Sequence, residues 1–230
     1  LKVLAFTRTD LQQTVIKVKD RGALASVLKV GLKSVAEGTA ISYINPDYIF
    51  NAYLRNEYPT HASALNKVSA DVVSALSPLG KENKPFGASI AIAKLRKYQY
   101  KPTMPYFSDP VTLNTFSSFE DGVKTIEKNL QAKKGGAKLV YQLKFSSNKV
   151  AVFGVGLLDT KEGEPAFLPV IGEDHLAALP YEIILQDKVA TMLHGRYRIA
   201  LHWPDLTMGT FMKIMSTPGD IEDALELLCE

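Results

Sequence analysis

Residues 137–158 restrict the fold more than any other stretch of the chain. Ala137, Leu139, Tyr141, Leu143 and Phe145 alternate with Lys138, Gln142 and Lys144, the period of a strand with one apolar and one wet side. Ser146-Ser147-Asn148 supplies a turn, and residues 150–158 return as a nearly unbroken apolar run. This pattern predicts an antiparallel hairpin whose second strand is buried. Helical patterns lie on either side of it. The expectation is an α+β fold, with an antiparallel sheet of several strands packed against about six helices.

Two further stretches are expected to join that sheet. In 196–203, Arg196, Arg198 and His202 alternate with Tyr197, Ile199, Leu201 and Trp203. Residues 86–100 fit two periods: a strand places Ile90, Ile92, Lys94, Arg96, Tyr98 and Tyr100 on one face, whereas a helix aligns Lys94, Lys97 and Lys101. Their β-branched and aromatic content favours the strand.

Upstream, residues 2–7 and 14–19 read as short strands. Leu24, Val27, Leu28, Leu32 and Val35 recur at helical spacing over 21–35, and 39–44 reads as a strand. Asn45-Pro46-Asp47 is a helix start, with asparagine as cap and proline in the first turn. That helix is expected to end near Tyr58, before Pro59, and another covers 61–76. Ser118-Phe119-Glu120-Asp121 opens a capped helix with Val123, Ile126 and Leu130 along its stripe. Residues 181–193 read as helical. After Asp205, Met208, Phe211, Met212 and Met215 form a stripe, read as core packing in preference to an adaptable docking face. A terminal helix over 220–228 is acidic on one side and is expected to lie on the core. The chain reads as one domain over 1–230, with the proline- and glycine-punctuated run 77–85 as the expected subdomain joint.

Composition excludes little. The chain is 46% hydrophobic and 22% charged, as globular proteins are. No apolar run approaches the ~20 residues that span a bilayer, so no transmembrane segment is expected. Cys229 is the single cysteine, which rules out an internal disulfide and favours a reducing compartment, the cytoplasm or the inside of a virion. The sequence begins at Leu1 rather than Met. A missing N-terminal piece is therefore allowed for, and no targeting signal is read.

Enzyme signatures are weak. Gly87-Ala88-Ser89-Ile90-Ala91 misses the last glycine of a nucleophile elbow. Gly154-Val155-Gly156 lacks the third glycine and the following helix of a dinucleotide loop. His61, His175, His194 and His202 show no zinc-ligand spacing, and Glu173-Asp174-His175 reads as a solvated turn in preference to a metal site. No cofactor or metal is expected. An active site assembled from distant residues, in an enzyme without a recognisable motif, is carried as a third possibility.

Charge distribution is more informative than the net charge of +3. Between Glu127 and Asp159 there are six lysines and no carboxylate, and after Ser216 five carboxylates and no cation. Residues 94–107 hold four cations, three tyrosines and one phenylalanine, and no acid. Cations along a backbone track, interleaved with rings on which bases stack, are what a sequence-tolerant single-strand binder needs. The candidate contacts are Lys94, Arg96, Lys97, Tyr98, Tyr100, Lys101 and Tyr106, joined by Lys138, Lys144, Arg196 and Arg198 if their strands make one basic face. The bland alternative is that the tyrosines pack inward while the lysines solvate an edge strand. The functional expectation is a non-enzymatic, homo-oligomeric protein that binds single-stranded nucleic acid, of nucleocapsid or single-strand-binding character. A viral matrix or coat subunit whose basic face meets anionic membrane is the second expectation.

Overall fold

The computed structural model describes residues 1–80 and 82–230. The fold is α+β, with two antiparallel sheets of three and five strands. The chain divides into two compact units: Leu1–Tyr98 with Asp174–Ala178, and Gln99–Glu173 with Leu179–Glu230. The 77–85 run, apart from Lys81 outside the described residues, lies within the first unit.

In the first unit, β1 (Lys2–Thr7), β2 (Val27–Val35) and β3 (Gly38–Tyr43) form a sheet in that order. α1 (Thr9–Val15) follows β1, so the strand expected over 14–19 is absent. The helix expected over 21–35 is replaced by a short 3-10 turn at Gly22–Ser26 and then by β2. The spacing that mimics a helix also fits a strand, and pairing on both edges decides the matter: Val30 stands opposite Leu4 on one side and Tyr43 on the other. The β-branched Val27, Val30 and Val35 suit that environment.

α2 (Pro46–Leu54) starts as its sequence dictates, with the Asp47 amide donating to Asn45 Oδ1 at 3.0 Å. α3 (Tyr58–Leu76) takes Pro59 into its first turn, where the missing N–H costs nothing. Pro59 thus opens one helix instead of ending another. Residues 86–100 form no strand; they contain the single turn α4 (Ile92–Leu95), and Leu95 is the buried residue of the stretch. Their alternation has no partner strand to give it meaning.

In the second unit the strand order is β4–β8–β7–β6–β5. The elements are β4 (Val111–Thr115), α5 (Phe119–Gln131), β5 (Ala137–Phe145), β6 (Val150–Leu157), α6 (Glu164–Ile171), β7 (Tyr181–Gln186) and β8 (Val189–Met192). Ser118 caps α5, accepting from the Asp121 amide at 3.1 Å, and Val123, Ile126 and Leu130 point into the core. β5 and β6 are the hairpin expected from sequence, and every residue of β6 is buried. β5 is one edge of the sheet and β4 the other. The helix expected over 181–193 is instead the hairpin β7–β8.

The strand expected over 196–203 is a helix, α7 (Gly195–His202), followed by α8 (Met208–Phe211) and α9 (Thr217–Glu226). α9 buries Ile221 and Leu225 and turns Asp223 and Glu226 outward. The methionine stripe is not core: Met208, Met212 and Met215 are 48%, 56% and 56% exposed, while Ile214 beside them is buried. Among the described residues no helix is long and apolar enough to cross a membrane.

Candidate functional site

The cation-and-ring segment is shared between the units, and its side chains have unequal fates. In the first unit, Lys94 and Lys97 are exposed. Arg96 is half-buried: its Nε donates to Asn51 Oδ1 at 2.8 Å, and its guanidinium carbon lies 5.2 Å from the centre of the Tyr58 ring. Tyr98 is half-buried, and proximity to it adds to the burial that raises the Tyr48 hydroxyl above its usual range.

In the second unit, the loop after Gln99 is organised by its own hydrogen bonds. Gln99 Nε2 donates to Met104 O at 2.7 Å, and Tyr106 Oη donates to Gln99 Oε1 at 2.9 Å. The Tyr106 amide donates to Asp109 Oδ2 at 2.9 Å. Phe107 is buried, meeting the Tyr197 ring edge-on at 6.0 Å between centres. That anchor leaves the neighbouring Tyr106 ring 42% exposed. Lys101 is exposed, 5.8 Å above the half-buried Tyr100 ring.

Lys138 and Lys144 are both exposed on β5, yet they do not share a side. The register slips between Leu139 and Tyr141, making Val140 an extra residue: Lys138 stands opposite Gly156 and Lys144 opposite Ala151. Those partners are five positions apart on β6, so they point to opposite faces. The bulge therefore sets Lys138 with Tyr141, Leu143 and Phe145, and Lys144 with Ala137, Leu139 and Gln142. One wet and one apolar side, as the alternation implied, is not what forms.

Arg196 is exposed. Arg198 is 1% exposed, which takes it off any surface. Its Nε and Nη2 donate to Glu182 Oε2 at 3.2 and 3.0 Å, and Nη2 donates to Pro180 O at 2.6 Å. Its guanidinium carbon sits 3.9 Å from the centre of the Tyr181 ring. Tyr141 Oη donates to Glu182 Oε1 at 3.3 Å. Gly154, facing Tyr141 across the ladder, makes room for that ring, since a Cβ there would lie 2.2 Å from Tyr141 Cε1. Removing either member of a buried ion pair costs about 3–5 kcal/mol, because the other charge is stranded.

Glu164, first residue of α6, stands in the same electrostatic neighbourhood. Burial pushes its carboxyl up to about 7, although Leu157 N–H donates to its Oε1 at 3.3 Å and Arg198 favours its charge. It is the group in this cluster able to exchange a proton near neutrality. Sequence reasoning missed the cluster. Glu182 and Arg198 are sixteen residues apart, and each was assigned to the wrong type of element, so no local pattern pairs them. Among the described residues no three histidine, cysteine or acidic side chains are grouped to hold a metal ion. Comparison with protein-family models, with curated proteins and with solved structures finds no match to this chain.

Proposed function

We propose that the chain binds single-stranded nucleic acid with little regard to sequence, as a structural and self-associating component of nucleocapsid or single-strand-binding type inside the cell or a virion. The contacts are Lys94 and Lys97 on the first unit and Tyr100, Lys101 and Tyr106 on the second, with Lys138, Lys144 and Arg196 as outlying cations. Arg96 and Arg198 are withdrawn, being held by Asn51 and by Glu182. A flexible single strand needs no common flat face, so each unit contributes its own groups.

The observation that carries this reading is that Lys94, Lys97, Lys101, Lys138, Lys144 and Arg196 form no ion pair among the described residues. Arg8, Arg21, Arg55 and Arg198 are paired. Unpaired surface cations are available to displace counterions from phosphates, and the exposed Tyr106 ring offers one base a stacking platform worth about 1–3 kcal/mol.

Fluorescence anisotropy with a labelled oligothymidylate tests it. Binding is expected in the micromolar range at low salt. Three phosphate contacts give a single-strand salt slope near −2, so affinity falls about 20-fold between 50 and 200 mM salt. Replacing Lys94, Lys97 and Lys101 by alanine removes most of that slope, and Tyr106→Ala weakens binding at every salt concentration. Absence of binding at 50 mM salt refutes the reading. Co-sedimentation with anionic liposomes that needs the lysines and ignores Tyr106 replaces it with the membrane-facing alternative.

A further inference from the structure

The first unit is built from two pieces of chain, and the second piece is only Asp174–Ala178. Its flanking residues, Glu173 and Leu179, belong to the second unit. Within the first unit this segment lies against the sheet. Leu176 and Ala177 are each 2% exposed and Ala178 fully covered. Gly31, in the middle of β2, leaves the space they occupy: a Cβ there would lie 2.8 Å from Leu176 Cβ and 3.2 Å from the Ala177 amide nitrogen. Lys33 Nζ reaches Asp174 Oδ1 at 3.6 Å, and the His175 ring lies 4.9 Å from that of Phe86.

Both ends of the excursion are gripped in the second unit by one helix. Arg198, in the middle of α7, donates to Pro180 O at 2.6 Å, just past the point of return. Trp203, the C-cap of α7, donates through Nε1 to Gly172 O at 3.2 Å, just before the departure. A loop whose stem carbonyls are held by a single helix moves with that helix. Its tip is seated by one leucine and two alanines, a small apolar seat.

We propose that residues 172–180 form a conformational strap with a seated and a released state, and that α7 and the β2 seat bias the same equilibrium. A disturbance at Gly31 is then felt at Trp203, and loosening Trp203 is felt at the seat, because coupling between two sites is reciprocal.

The full-length chain provides its own reporter, since Trp203 is its single tryptophan. Gly31→Val keeps β2 a good strand former while pushing Leu176 off its seat. The expected result is a red shift of Trp203 emission with the far-ultraviolet circular dichroism preserved. The reciprocal variant, Trp203→Phe, keeps an aromatic ring but removes the indole donor. Amide exchange at Ala177 and Ala178 is expected to quicken about tenfold, while β6 and β7 exchange as in the parent. Unchanged Trp203 emission in a folded Gly31→Val chain whose strap exchanges faster shows that the seat opens without α7, and overturns the proposal. Unchanged strap exchange in Trp203→Phe overturns it as well. Should Gly31→Val fail to fold, the Trp203→Phe exchange decides alone.

Discussion

Arg198 and Lys101 carry the same formal charge and end in opposite places. Lys101 stands in water above a tyrosine ring, whereas Arg198 is enclosed with Glu182 and Tyr141. Residue identity alone does not separate them, because what holds Arg198 inside is a carboxylate sixteen residues away, on the strand β7. The same enclosure sets the behaviour of Glu164. Its carboxyl titrates near 7 in the folded chain and near 4.5 when unfolded, so between those values the native state holds a proton that the unfolded state has released. Stability on its account is therefore highest below about pH 4.5, falls as pH rises towards 7, and is flat beyond, a loss on the order of 1–3 kcal/mol. His194 works in the opposite sense: burial, then Arg196, lowers its pKa, so its contribution is lost as the solution is acidified through the region below 6.5. Glu164→Gln keeps an acceptor for Leu157 N–H and cannot titrate. The difference between parent and Glu164→Gln, followed by urea unfolding at pH 5 and pH 7.5, isolates the carboxyl. A parent and variant that lose or gain stability in parallel across that range rule out a proton-linked Glu164.

Elements were legible where local chemistry and pairing agree. The β5–β6 hairpin formed, although a bulge breaks its alternation, and α2 and α5 start at the Asn45 and Ser118 caps as their patterns dictate. α7 reads as a strand from its sequence because the alternation treats its polar residues as the solvent side. In fact Arg198 and His202, four apart on one side of a helix, are both buried, and Arg196 is its one exposed residue. β7–β8 reads as one helix because its turn is only Asp187-Lys188, with no glycine to announce it. Asp187 adopts a left-handed φ of 51°, a conformation that aspartate tolerates and β-branched residues resist. Gln186 and Val189 stand opposite each other across that turn. Asp187→Val is accordingly expected to destabilise the chain by about 1–2 kcal/mol, and Asp187→Gly to leave it within a few tenths of the parent. Equal urea midpoints for the valine and glycine variants contradict a turn held by backbone strain.

At the level of the whole molecule, the α+β class follows from the mixture of period-2 and period-3.6 segments, and it is what forms. One sheet was expected and two are present: β2, the central strand of the first sheet, carries a helix-like spacing, so that sheet goes unrecognised in the sequence. The division into units was illegible for a different reason. No compositional break marks it, and five residues late in the chain pack against a sheet that begins at Lys2. Such a discontinuous unit depends on chain made long after its strands, and closing so long a loop carries an entropic cost that only the seated side chains offset. Burying the Leu176 side chain is worth about 1.5–3 kcal/mol, and lost packing around Gly31 adds to that. Replacing 174–178 by Gly-Ser-Gly-Ser-Gly preserves the length of the crossing and removes the seat. The expected outcome is loss of amide protection along β2 at urea concentrations where β6 and β7 remain protected. Protection lost from both sheets at one urea concentration would instead make the two units a single cooperative body, and β2 protection equal to the parent's would mean that the sheet of the first unit stands without its returning segment.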